Sequence, residues 1–256
     1  MEQTPKPRPA VVGRERDQIF AQPDRPTRDF DFGGETAAVF DDMLDRSVPF
    51  YPEIQRMVSE LAVDFAAEGS AIYDFGCSTC TTFLALAKGL PDDLSLRFVG
   101  IDSSREMLEV AKEKLAHENF PYPVDLRCED LERGAVVEDA SVALLVLTLQ
   151  FVRPLRREAL IRRIYEGLRE DGVLIMVEKV LGESSTFNRL FIRHYYEMKK
   201  RNGYSDLEIA QKREALENVL VPYRLEENKD MLKSQGFRHV DVFFKWYNFC
   251  GILAMK

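Results

Sequence analysis

The sequence predicts an α/β protein of the doubly wound kind. Between residues 70 and 180, apolar runs alternate with segments of helical periodicity. The runs are apolar throughout, not at every second position, as expected for strands buried on both faces of a parallel sheet. The chain then closes with two strand-like runs joined by a short turn, and 256 residues suit one such domain.

The elements follow in order. Residues 1–29 are rich in proline and charge without an apolar period, which predicts a mobile segment ahead of a single domain over 30–256. Glu35 to Leu44 and Pro52 to Phe65 have helical spacing, with Pro52 suited to a first turn. SAIYDF (70–75) predicts a strand and is followed by a helix near 81–88. RFVGID (97–102) leads to a helix over 104–117, and VDLRC (124–128) to an acidic loop. SVALLVLTL (141–149) precedes an arginine-rich helix ending near Leu168, and GVLIMVEKV (172–180) comes next. The stretch 181–222 is too long for a structureless loop, and its periodicity predicts helices over 186–200 and 205–218 that form a lid. ENKDMLKSQGF then reads as a helix stopped by Gly236, and HVDVFF and YNFCGILAM as a hairpin that adds an antiparallel seventh strand.

Composition excludes several functions. The formal net charge is -8, and Arg153, Arg156, Arg157, Arg162 and Arg163 interleave with Glu158, Glu166, Glu170 and Asp171 at helical spacing. That pattern predicts a solvated, ion-paired helix face and argues against tight binding of RNA or DNA. No apolar run approaches the roughly 20 residues that span a bilayer, so no membrane association is expected. Four unpatterned cysteines and no secretory leader pattern predict a cytoplasmic protein. Cys77 and Cys80 are spaced like a redox or metal pair. Cys128 and Cys250 stand alone, however, and His117, His194 and His239 are scattered, so no metal set is evident. Small side chains packed beneath a turn are the favoured reading, with Gly76 as the residue of special conformation.

Ligands of open parallel sheets bind beyond the carboxyl ends of the strands. The first strand reaches Asp74 and its turn holds Gly76; the second ends at Asp102, placed for ribose hydroxyls; after the third, Asp130 and the Leu131 amide suit adenine. A pyrophosphate would want more glycines and fewer carboxylates. The three aspartates favour a cationic adenosine ligand, S-adenosylmethionine, over NAD.

RSVPFY (46–51), YDFGCS (73–78), LTLQFV (147–152), MVEK (176–179) and above all NGYSDLEIAQKREALENV (202–219) resemble carboxy-S-adenosyl-L-methionine synthase, within the class I methyltransferase superfamily. The resemblance runs from about Phe30 to the C-terminus. It implies a seven-stranded Rossmann-like fold and a reaction in which prephenate gives its carboxyl group to the methyl carbon of S-adenosylmethionine, with an ylide formed beside the sulfonium. Carboxy-S-adenosylmethionine and phenylpyruvate are the implied products. The former serves a second enzyme that modifies a tRNA wobble uridine, so this chain itself needs no grip on nucleic acid. Matched by position, Tyr51, Gly76, Cys77 and Ser78 should line the ligand site, Asp102 and Ser103 should meet the ribose, and Asp130 and Leu131 should meet adenine. Arg213 should clamp the transferred carboxylate across a homodimer interface, with Tyr51 beside it. The chain departs from the family in having Cys80 where glycine is usual and Val146 where asparagine is usual; at Val146 only a backbone carbonyl remains to contact the methionine moiety. The rival readings are an ordinary small-molecule methyltransferase on the same fold and a non-catalytic nucleotide-binding protein.

Overall fold

The computed structural model describes residues 16–22, 29–91 and 93–256. Two helices, α1 (Gly34–Ser47) and α2 (Tyr51–Phe65), precede an alternation of β1 (Ala71–Phe75), α3 (Thr81–Ala87), β2 (Arg97–Asp102), α4 (Arg105–His117), β3 (Val124–Cys128), β4 (Ala140–Val146), α5 (Pro154–Gly167) and β5 (Leu168–Leu181). Then come α6 (Ser185–Arg201), α7 (Asp206–Leu216), β6 (Tyr223–Arg224), α8 (Leu225–Ser234), β7 (His239–Trp246) and β8 (Phe249–Met255). The main sheet runs β3-β2-β1-β4-β5-β8-β7. Pairing is parallel from β3 to β5, and β8 enters antiparallel to both β5 and β7. The doubly wound prediction and its antiparallel strand therefore hold.

Side-chain alternation divides the core between the two faces of the sheet. Ala71, Tyr73, Phe75, Ala143, Leu145, Leu174 and Met176 pack with α5 and α8 residues on one face. Ile72, Val142, Leu144, Val173 and Ile175 pack with α2, α3 and α4 residues on the other. Only the central strands are buried throughout; β3 and β7, at the two edges, are partly exposed because each lacks a neighbour on one side. Ser104 starts α4 by accepting from the Met107 amide at 3.1 Å, and its hydroxyl donates to the Phe32 carbonyl at 2.7 Å. A capping box between Ser205 and Glu208 starts α7.

Four expectations need correction. The strand expected over 141–149 stops at Val146: Leu147 turns to φ 62, and Leu149–Phe151 form a 3-10 turn. The buried Glu178 carboxylate causes this, taking the Leu149 and Gln150 amides at 2.9 Å each. The arginine-rich helix is not a uniformly solvated, self-paired face. Arg157 is fully buried and donates to the Val152, Gln150 and Val221 carbonyls, and Arg153 pairs with Glu132 outside the helix. Within the segment 1–29, expected to stand apart from the domain, residues 16–22 pack on it: Asp17 is buried and accepts from the Tyr204 hydroxyl at 2.6 Å; residues 1–15 and 23–28 lie outside the described residues. The two-residue strand β6, parallel to the end of β5, was not expected. Among the described residues, no helix is long and apolar enough to cross a membrane, and no group of three or more His, Cys, Asp or Glu could hold a metal ion.

Candidate active site

A cavity of about 270 Å³ opens beyond the carboxyl ends of β1, β2, β4 and β5, closed over by α1, the start of α2, and α6–α7. Gly76 is its hinge. Its φ of +78 is costly for any residue with a Cβ, and a Cβ there would lie 2.4 Å from Thr148 Oγ1. Its amide donates to the Ile101 carbonyl at 2.7 Å, tying the turn to β2. Ser78 N then donates to Asp102 Oδ2 at 3.0 Å, and Ser104 N to Asp102 Oδ1 at 2.9 Å. Asp102 is thus held in place by two loops. Burial raises its pKa, against those amide bonds, and each carboxylate oxygen keeps a further lone pair for a hydroxyl.

The Cys77–Cys80 question resolves on packing. Both are free and buried, and Cys77 Sγ occupies the space a Cβ on Gly100 would need, 2.9 Å away. The hydrogen bond its neutral thiol donates to Cys80, followed by burial, pushes the Cys77 thiol up, the reverse of what redox or metal chemistry requires. Cys80 itself has φ 57, a left-handed conformation that glycine adopts without strain, which explains why glycine suits this position.

Of the residues predicted for the site, Tyr51, Gly76, Cys77, Ser78, Asp102, Ser103, Asp130, Leu131 and Val146 all line the cavity. Tyr51 is buried at the start of α2, where burial first and then Asp41 push its phenol up, so it stays a hydrogen-bond donor. Asp130 is half-exposed, accepting from Glu132 N at 2.9 Å and pairing with Arg133 at 3.2 Å. Arg213 is not brought in. It lies on the exposed face of α7, with no ion pair to Glu214 or Glu217, and its neighbour Lys212 faces the cavity instead. Adjacent helical residues point about 100° apart, and of this pair only Lys212 lines the cavity of its own protomer.

Sequence reasoning placed Asp74 at the rim without giving it a contact. The structure makes it central: it is buried, Oδ1 has no hydrogen-bond partner among the described residues, and burial followed by Asp102 pushes its pKa up to about 8. A buried carboxylate oxygen left open beside a glycine turn fits a cationic ligand group. Lys179, Lys212, Tyr195 and Thr148 also line the cavity and were missed. The strand order explains the layout: Asp130, Asp102, Asp74, Val146 and Lys179 follow one another along the ends of β3, β2, β1, β4 and β5. With strands roughly 4.8 Å apart, Asp130 and Lys179 lie at opposite ends of a row about 19 Å long, with Asp74 at its middle.

Comparison with known proteins bears on this arrangement. A family model described as "Methyltransferase domain" matches residues 72–172. Carboxy-S-adenosyl-L-methionine synthase of Methylococcus capsulatus is 60% identical over 242 residues, covering 94% of this chain and 99% of that protein. The chain belongs to the carboxy-S-adenosyl-L-methionine synthase family. The synthase of Desulfotalea psychrophila is 45% identical, over 94% of this chain and 97% of that protein. Human N-acetylserotonin methyltransferase in complex with SAM superposes with a TM-score of 0.58 at 15% identity, over 87% of this chain and 55% of that one. An O-methyltransferase family 2 protein from Planctomyces limnophilus gives 0.57 at 18% identity, over 87% and 64%. At these identities the solved structures speak for the fold alone, the S-adenosylmethionine-dependent methyltransferase fold.

In this member of the synthase family, the buried Asp74 is expected to make ligand binding depend on pH. An unfolded aspartate ionises near pH 4, whereas Asp74 keeps its proton up to about pH 8 in the folded protein. Because the folded state binds the extra proton, this group's contribution to stability falls as pH rises across that window. A cation ionises Asp74 and expels the proton. S-adenosylmethionine affinity is therefore expected to rise between pH 6 and 8, by at most about tenfold per unit, and Asp74→Asn to flatten the slope in calorimetric titrations.

Proposed function

We propose that this chain is a carboxy-S-adenosyl-L-methionine synthase that takes prephenate as carboxyl donor. It works as a cytoplasmic homodimer, handles only small molecules, and passes its product to a separate enzyme that modifies a tRNA wobble uridine. Residues 30–256 act as one catalytic domain in which 181–222 serve as the lid. The observation that carries this reading is the cationic end of the cavity: Lys179 from β5 and Lys212 from α7 both line it, with the aspartates suited to adenosine further along the strand ends. A methyl donor alone has no need of them, whereas a carboxylate arriving beside a sulfonium does. The names of the relatives support the same activity.

Within the site, Asp102 and Asp130 hold the nucleoside and Asp74 takes the methionine ammonium. S-adenosylmethionine contributes a methyl group made acidic by its sulfonium. Overall, the ring carbon–carboxyl bond of prephenate breaks and a carbon–carbon bond forms at that methyl; the proton it loses and the hydroxide lost by the ring leave as water. Arg213, exposed and without an ion pair among the described residues, reaches the partner protomer's site and clamps the new carboxylate in a bidentate pair. Tyr51, as a neutral phenol, donates a hydrogen bond beside it.

Protein purified from cells should carry a ligand heavier than S-adenosylmethionine by one carboxyl group, read by mass spectrometry. It should also release phenylpyruvate from prephenate. Plain S-adenosylmethionine with no phenylpyruvate would assign methyl transfer instead; retention of the nucleotide without turnover would assign a binding role.

A further inference from the structure

Three lysines gather at the cationic end of the cavity, Lys179 and Lys212 lining it and Lys199 beside them, and among the described residues only Lys212 has a carboxylate within ion-pair distance. Lys199 (4% exposed) and Lys212 (6%) come from α6 and α7, and Lys179 from the end of β5. Lys179 Nζ lies 5.0 Å from the Tyr195 ring centre, and Lys199 Nζ lies 5.7 Å from that ring and 5.0 Å from the ring of Tyr204. Neither ammonium makes a hydrogen bond or ion pair among the described residues. Lys212 Nζ reaches Ser47 Oγ at 3.2 Å and Asp17 Oδ2 at 3.8 Å.

The surrounding charges are committed elsewhere. Arg46 pairs with Asp42 at 3.2 Å, and Glu208 accepts from Ser205 in the helix cap. Asp17 also accepts from the Tyr204 hydroxyl and from Ile19 N. It is the one carboxylate within 4 Å of any of the three ammonium groups among the described residues. Burying ammonium groups without anions is costly, and a fold that sets two of them in a cavity wall with a third behind is suited to an anion from outside. Burial, then Lys212 and Lys179, pushes Lys199 down to about 6; burial pushes Lys179 and Lys212 down to about 8. Tyr195 and Phe249, ring centres 5.4 Å apart and both lining the cavity, add an aromatic surface beside Lys179.

We infer that Lys179 and Lys212, backed by Lys199, form the binding wall for the second substrate, an unsaturated cyclic dicarboxylate whose ring lies on Tyr195 and Phe249. This rests on the reading of the chain as a carboxyl-transfer enzyme. It assigns the donor to this protomer's own lysines and leaves Arg213 of the other protomer to the product carboxylate. Lys179 and Lys212 meet the anion directly, and Lys199 adds charge behind them.

The arriving dianion returns protons to lysines that share too few of them near pH 8. Calorimetry of prephenate binding to the wild-type dimer at pH 8, in two buffers of different ionisation enthalpy, should report uptake of about one proton. Lys179→Met and Lys199→Met should each raise KM for prephenate at least tenfold while the S-adenosylmethionine Kd stays within twofold. Should these variants not fold, the wild-type proton count alone decides, and zero uptake overturns the assignment. Wild-type turnover of prephenate with KM unchanged in the lysine variants overturns the lysine wall but leaves the function intact. Wild-type protein that makes no phenylpyruvate overturns the donor, and the lysine assignment falls with it.

Discussion

Arg213→Ala is expected to lower kcat/KM for carboxyl transfer by about two to three orders of magnitude, because removing one partner of a buried charge pair costs about 2–5 kcal/mol. Arg213→Lys should recover little, since an ammonium cannot reproduce two parallel hydrogen bonds to a carboxylate. Such a large effect from a residue exposed in its own protomer has a further signature. Mixing Arg213→Ala with Asp102→Ala chains places an intact Asp102 and an intact Arg213 at one site of each mixed dimer. If Arg213 acts across a twofold interface, random exchange restores about one quarter of the wild-type activity. If it acts within its own chain, both sites of the mixed dimer are dead and nothing is restored.

The second large effect is expected at the turn after β1. Gly76→Ala forces a Cβ into a backbone with φ +78, and that Cβ would meet Thr148 Oγ1 at 2.4 Å and Cγ2 at 2.5 Å. The left-handed conformation costs about 1–2 kcal/mol and the overlap about 1–3 kcal/mol more. That is a large share of the roughly 5–15 kcal/mol that stabilises a domain. Since the same turn sets Ser78 N on Asp102, S-adenosylmethionine affinity should fall by about a hundredfold or more. Urea denaturation should show the stability loss. Adding Thr148→Ala should return part of it, because two of the three nearest atoms then leave while the backbone strain stays.

Much of the fold and the nucleoside half of the site were legible in the sequence, and the reasons are local. Buried parallel strands are apolar at every position, and Gly76 and the aspartates sit at fixed offsets from strand ends. The cationic half was not legible. Lys179 stands in a quoted motif, but nothing in its neighbours marks an ammonium that the fold will bury. Lys212 and Arg213 are adjacent on one helix, and choosing between them needs the rotation of α7 about its axis, which packing sets. Its apolar pattern is too weak to announce it, since its buried face carries Glu208 and Lys212 beside Ile209 and Ala215. Asp17 was assigned to a mobile segment because composition speaks for a stretch as a whole, while its burial depends on Tyr204, 187 residues away. The strand expected up to Leu149 stops early because Glu178 takes two amides from the following turn, a long-range contact that periodicity cannot register.

That link between Asp17 and Tyr204 also bears on how the protein is made. Asp17 leaves the ribosome long before Tyr204 and Lys212 are translated. Through most of synthesis the early aspartate has no phenol to hold and the late lysine no counter-charge, so this corner of the molecule can set only after nearly the whole chain has emerged.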